Sequence, residues 1–268
     1  MPDAYAQVTT LEPAMLEQLV SVLESRAADP RQRTMRETYL SCMALPHGAR
    51  VLEVGCGTGA VSRDVARRAK IGEVVGLDPS AVFIAKAREL AAGIPNLRFE
   101  EGVAHNLPYD DGTFEAVLFH TCLSHVPSPE IALSEAHRVL RTDGYLAIFD
   151  GDYASATVAI GDHDPLQDCT DAFTASFVHD RWLARRMSGL AKSAGFQIER
   201  FDNHGYIQTE NPEYMLTLID RGADALVKAT CVDLELADAL KQAARRRAEK
   251  GDFFGSIMFA SLIARKRC

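Results

Sequence analysis

Residues 51–60 read VLEVGCGTGA, an apolar run that turns through Gly55, Gly57 and Gly59 straight into a helix-forming segment. Glycines at that spacing serve a turn with backbone angles that side chains oppose, and let a ligand lie against bare main chain. Outward from this point the chain keeps a strand–helix rhythm. Apolar strands are expected at Val51–Val54, Val74–Asp78, Leu97–Glu101, Ala116–His120 and Tyr145–Asp150, with helices over Gly59–Ala69, Ser80–Ala92 and Glu130–Leu140 between them. Such alternation predicts an α/β fold: a Rossmann-like, doubly wound, mostly parallel sheet with helices on both faces. Ligands of such sheets sit beyond the carboxyl ends of the strands. Functional residues are therefore expected just after Val54, Asp78, Glu101, His120 and Asp150.

Length and composition fit this reading. The chain has 268 residues, 47% of them hydrophobic and 25% charged, with a net charge of −8. That is the balance of a globular protein with a sizeable core. The acidic excess argues against a sequence-independent grip on nucleic acid, which needs surplus Lys and Arg. A small-molecule partner is expected, with no nucleic acid and no membrane span. The six cysteines show no CxxC pattern, and the first residues lack the basic and apolar regions of a signal peptide, so a cytoplasmic protein is expected.

The flanks are less regular. Residues 1–48 read as a helical cap, with segments at Met15–Leu23 and about Arg31–Leu45. Residues 49–150 form the expected cofactor-binding core. Residues 151–250 read as lid and helices: a polar excursion over 151–180, a helix at Arg181–Ala194, a strand at Gln197–Asp202, a helix capped by Asn211 and started by Pro212, and a charged helix at Asp233–Lys250. Residues 251–268 hold a closing apolar strand. All of it is expected to be one domain, and the apolar closing strand with its Ala/Leu helices would permit a homodimer.

The glycine loop alone is ambiguous, because Gly55-x-Gly57-x-x-Ala60 also fits the dinucleotide fingerprint, and Asp78 closing the second strand suits the ribose of either ligand. The surrounding segments separate the readings. LEVGCGTG with Glu53, GLDPS at 76–80, EGVAHNLPYDDGTFEAV at 101–117 and HRVLRTDGYLAI at 137–148 together resemble the class I S-adenosylmethionine-dependent methyltransferases, in the small-molecule branch similar to the ubiquinone and menaquinone-biosynthesis enzymes. The resemblance covers roughly residues 50–150. It implies a seven-stranded sheet whose last strand is antiparallel, S-adenosylmethionine as cofactor, and release of S-adenosylhomocysteine after methyl transfer to an O, N or C atom.

Position by position, the resemblance implies that Glu53 holds the methionine ammonium and that Gly55, Cys56, Gly57 and Gly59 form the loop under methionine and ribose. Asp78 would grip the ribose hydroxyls, with Pro79 and Ser80 beside the adenine, and Val103 and Ala104 would meet the adenine edge. His120 and Thr121 would face the sulfonium. Where the family usually shows Gly-Asp-Ala, this chain has Gly102-Val103-Ala104, so a carboxylate acceptor for the adenine amino group is missing. That is worth about 1 kcal/mol as one hydrogen bond.

Methyl transfer needs alignment more than side-chain chemistry, but a hydroxyl or acidic-carbon acceptor needs a base. His125 is the candidate catalytic residue among His120, His125, His163 and His179. Tyr5 and Asp152 are candidate substrate-binding residues, and Arg33, Arg36 and Tyr39 could close over the cofactor, an Arg there meeting its carboxylate. Asp150, Asp152, His163 and Asp164 could be read as oxygen-rich metal ligands, but strand-end carboxylates facing a substrate are the commoner use, and no metal is expected. Two other functions fit the glycine loop: an NAD(P)-dependent oxidoreductase, and a non-catalytic S-adenosylmethionine-binding module.

Overall fold

The computed structural model describes residues 3, 8–10, 12–68 and 70–267. Tyr5 lies outside the described residues. Seven strands form one sheet: β1 (Ala49–Val54), β2 (Ile71–Asp78), β3 (Leu97–Glu101), β4 (Phe114–His120), β5 (Leu140–Thr157), β6 (Phe196–Gln208) and β7 (Gly255–Lys266). Their order is β3-β2-β1-β4-β5-β7-β6, and β7 runs antiparallel to both neighbours while β1 to β5 pair in parallel. The winding reverses between β1 and β4, which places the ligand crevice over their carboxyl ends.

Alternation along the central strands builds two cores. Val51, Val74, Leu118 and Phe149 face one layer, whereas Leu52, Val75, Val117 and Ile148 face the other. These strands are buried on both faces, hence their continuous apolar runs. The second layer is closed by α5 (Pro129–Val139) and α7 (Leu183–Ser193), and α3 (Ala60–Ala66) and α4 (Ala81–Leu90) flank β1 to β3.

Above the strand ends, α1 (Pro13–Ala28) and α2 (Pro30–Leu40) form a hairpin pinned at Asp29, whose side chain accepts from Arg31 N and Gln32 N and caps α2. The same carboxylate accepts from the Tyr206 hydroxyl at 3.0 Å, tying the hairpin to β6. Three further helices, α6 (Pro165–Phe177), α8 (Glu213–Lys228) and α9 (Leu234–Lys250), complete the cover.

Several boundaries differ from expectation for identifiable reasons. Residues 151–180 are not one long excursion. β5 continues to Thr157 because β7 pairs with it beyond Asp150, matching Gly151 with Phe259 and Asp152 with Met258, and α6 follows. Asp164 caps α6 and Arg247 binds the same carboxylate. α2 ends at Leu40 and α3 at Ala66, both short of the periodicity. Asn211 does not cap α8: it sits at φ 46°, and the Gln208 side chain instead accepts from Met215 N at 3.0 Å. β7 lies inside the sheet, so its apolar character is used against β5 and β6 and offers no edge for a dimer.

Candidate functional site

A cavity of about 540 Å³ opens over the carboxyl ends of β1, β2, β3 and β4. Gly55, Cys56 and Gly57 after β1, Asp78 and Pro79 at the end of β2, Val103 and Ala104 after β3, and His120, Thr121 and Cys122 after β4 all line it. Four of the five expected strand ends thus converge there. The fifth, after Asp150, contributes Tyr153 rather than Asp152.

The glycine loop is shaped by contacts on every side. Gly55 N and Cys56 N both donate to Leu77 O, at 2.8 and 3.0 Å, which hangs the loop on β2. Gly59 has φ 77°, and a Cβ there would meet Phe99 Cζ at 2.4 Å. Gly59 is therefore required for close packing of α3 onto the sheet and does not line the cavity. From above, Leu23 of α1 covers Gly57, and Glu24 accepts from the Thr58 hydroxyl and from Arg63.

Asp78, 6% exposed, bridges two backbone donors: Gly57 N gives to Oδ2 and Ser80 N to Oδ1, each at 2.9 Å. These bonds favour the anion, yet burial dominates and pushes its pKa up to about 6. Ser80 points away from the cavity and caps α4 through Phe83 N.

Glu53, 2% exposed, accepts from the Ser62 hydroxyl. Burial again outweighs that bond and the nearby Arg36 guanidinium, and its pKa is raised to about 7. A partner carrying positive charge would relieve this cost. Arg36, 4% exposed, lines the same wall and reaches Asp64 with Nε at 2.7 Å, and Arg26 donates to the Thr121 hydroxyl. Arg33 is exposed and takes no part. Arg26 was not legible in the helical pattern of residues 13–28, where it reads as one more surface charge.

His120 is held by Tyr39, whose hydroxyl lies 2.9 Å from its Nδ1, and is stacked on Phe149 with ring centroids 4.7 Å apart. Desolvation, then Arg26 and Arg36, keep its pKa well below the usual histidine value, so it stays neutral. Thr121 adopts φ 50°, a left-handed conformation that is strained for a β-branched residue.

His125 follows in a short helical turn at Leu123–His125 and also lines the cavity. Its Nδ1 lies 2.6 Å from Asp3 Oδ2, and the same oxygen accepts from His179 N at 2.8 Å. Beside it, Asp150 is fully buried and accepts from the Ser124 backbone and hydroxyl and from Gly151 N. The carboxylates of β5 and of the α6 cap are thus separately engaged: Asp150 with Ser124, Asp152 with Arg185, Asp164 with Arg247. Asp152 is not among the cavity-lining residues, because its ion pair turns it toward α7. Among the described residues no three His, Cys, Asp or Glu side chains are grouped to hold a metal ion.

The far lobe of the cavity is aromatic. Tyr153, Phe173, Phe177 and Tyr214 line it, with Arg221 set over Phe177 at 4.1 Å from the ring centroid. These residues come from β5, α6 and α8, and their convergence depends on Gly222, where a Cβ would lie 1.8 Å from Cys169 O.

Residues 52–148 match the family model described as a methyltransferase domain. Over those residues the chain carries a methyltransferase domain. The fold is shared with solved structures: the [4+2]-cyclase SpnF superimposes with TM-score 0.62 at 21% identity, covering 100% of this chain and 97% of that one. A phosphoethanolamine N-methyltransferase of Haemonchus contortus, solved in complex with S-adenosyl-L-methionine, gives TM-score 0.54 at 17% identity over 88% of this chain and 53% of that one. At those identities the likeness is one of fold. In sequence, the methyltransferase domain is 32% identical over 124 residues to demethylmenaquinone methyltransferase of Staphylococcus epidermidis, covering 45% of this chain and 50% of that protein. An uncharacterized protein of a Streptomyces fradiae transposon is 31% identical over 180 residues, 67% of this chain and 52% of that one. The chain spans about half the length of the curated relatives it matches. No described helix is long and apolar enough to cross a membrane.

Proposed function

We propose that the chain transfers a methyl group from S-adenosylmethionine to a small molecule held in the aromatic lobe, acting as one domain under the cover of its helices. The observation that carries this reading is the pairing, in one cavity, of a buried ribose-type carboxylate, Asp78, with a buried carboxylate of raised pKa, Glu53, across a bare glycine loop. The donor set suits the cofactor. Each Asp78 oxygen holds one backbone bond and keeps lone pairs for vicinal hydroxyls, and Glu53 offers an acceptor to an ammonium. Val103 and Ala104 supply an apolar wall with main-chain groups for the adenine edge.

When bound, the cofactor supplies an activated methyl carbon, so the protein's task is alignment and exclusion of water. The hairpin of α1 and α2 closes one side, and α6 with α8 the other. His125 would accept a proton from an acceptor hydroxyl or acidic carbon, with Asp3 orienting the imidazole. His120, stacked and neutral, serves the wall instead. An aromatic or otherwise flat apolar acceptor matches the rings of Tyr153, Phe173, Phe177 and Tyr214.

The test is incubation with methyl-labelled S-adenosylmethionine and a panel of phenolic, quinol-like, polyketide, terpenoid and amine compounds, scored by mass. Acceptor-dependent formation of S-adenosylhomocysteine and a methylated product supports the reading. Normal cofactor binding without turnover across all classes favours a non-catalytic binding module.

A further inference from the structure

Gln32, in the first turns of α2, is 1% exposed and lines the cavity, and neither Nε2 nor Oε1 has a hydrogen-bond partner among the described residues. Leaving both ends of a buried carboxamide unmade is costly, at about 1–3 kcal/mol for each group. Such an arrangement is maintained where a ligand completes it. The ligand must donate to Oε1 and accept from Nε2 within the reach of one side chain.

Gln32 sits one helical turn before Arg36 and on the same face of α2. Arg36 in turn acts electrostatically on Glu53, whose carboxylate lies in the same wall. Arg26 completes a polar quartet of two guanidiniums, one carboxamide and one carboxylate in the cavity wall. A zwitterionic α-amino-acid group matches that quartet: its carboxylate meets the guanidiniums and the amide N–H, and its ammonium meets Glu53 and the amide oxygen. A flat apolar acceptor has no comparable paired donor and acceptor.

We infer that Gln32 is a cofactor-specificity residue that binds the amino-acid end of the sulfur nucleoside. The inference rests on the proposed cofactor. Its signature is a trade between stability and binding. Replacing an unsatisfied buried amide by an apolar side chain of similar shape leaves the free protein as stable or more stable, while removing the ligand contact.

The experiment compares wild type with Gln32→Met and Gln32→Leu by thermal unfolding of the free protein and by calorimetric titration with two probes. S-adenosylhomocysteine carries the amino-acid end; methylthioadenosine lacks it. The expected result is an unchanged or raised Tm, S-adenosylhomocysteine affinity weakened about tenfold or more, and unchanged methylthioadenosine affinity. Equal weakening of both probes, or a lowered Tm with unchanged selectivity, would assign Gln32 a structural role and overturn the inference. Unchanged affinity for both would overturn it as well. Failure of wild type to bind either probe would instead remove the cofactor reading itself, and the inference with it.

Discussion

His125 Nδ1 and Asp3 Oδ2 lie 2.6 Å apart, joining a turn after β4 to the N-terminal segment across 122 positions of sequence. The bond engages Nδ1 of the ring, and the same Asp3 oxygen accepts from His179 N. A histidine oriented by a buried carboxylate is the arrangement expected of a general base.

For an acceptor that loses a proton, His125→Gln is therefore expected to lower kcat by about 10²-fold or more, with S-adenosylhomocysteine affinity unchanged. Asp3→Asn should cost less, because the imidazole stays in place but loses its orienting carboxylate. Steady-state rates check both. Unchanged kcat in His125→Gln would assign the residue to packing.

Glu53 carries a pH dependence of known sign. Burial raises its pKa from 4.5 to about 7, so between those values the folded protein holds a proton that the unfolded chain has released. The contribution to stability is fully present below about pH 4.5 and is lost as pH rises through about 7. Thermal unfolding of the free protein should thus show a fall in Tm across this window that is blunted in Glu53→Gln. Binding of a ligand ammonium favours the carboxylate, so cofactor loading near pH 6 should release protons, measurable by calorimetry in buffers of different ionisation enthalpy. A pH dependence identical in wild type and Glu53→Gln would refute this.

Gly222→Ala should separate α8 from α6, since its Cβ would overlap the Cys169 carbonyl. A loss of about 1–3 kcal/mol is expected from overpacking. The damage should fall on the aromatic lobe, raising KM for the acceptor more than the Kd for S-adenosylhomocysteine. Gly59→Ala should instead weaken the nucleoside site, because its Cβ would meet Phe99 at the glycine loop.

The contrast between those two glycines shows what could be read from residues in order. Gly59 belongs to a contiguous strand–loop–helix unit whose contacts are local or follow from the sheet, so VLEVGCGTGA with Asp78 pointed to strand ends that do line the cavity over β1 and β2. Gly222 has meaning only once α6 lies against α8. Likewise Asp3, Gln32, Arg26 and Arg221 look like ordinary polar positions on helices or near the chain start, and acquire their roles through packing over the strand ends. Asp152 misled for the converse reason: position at a strand end suggested the cavity, but extended pairing of β5 with β7 and the ion pair to Arg185 carried it outside.

The most direct test of the central claim is calorimetric titration of the purified protein with S-adenosylmethionine, S-adenosylhomocysteine and NADH, repeated on Asp78→Ala. Saturable binding of both sulfur nucleosides, no response to NADH, and affinity lost by about tenfold or more in Asp78→Ala are expected. Binding of NADH with no response to either sulfur nucleoside would contradict the assignment and turn the glycine loop over to the oxidoreductase reading.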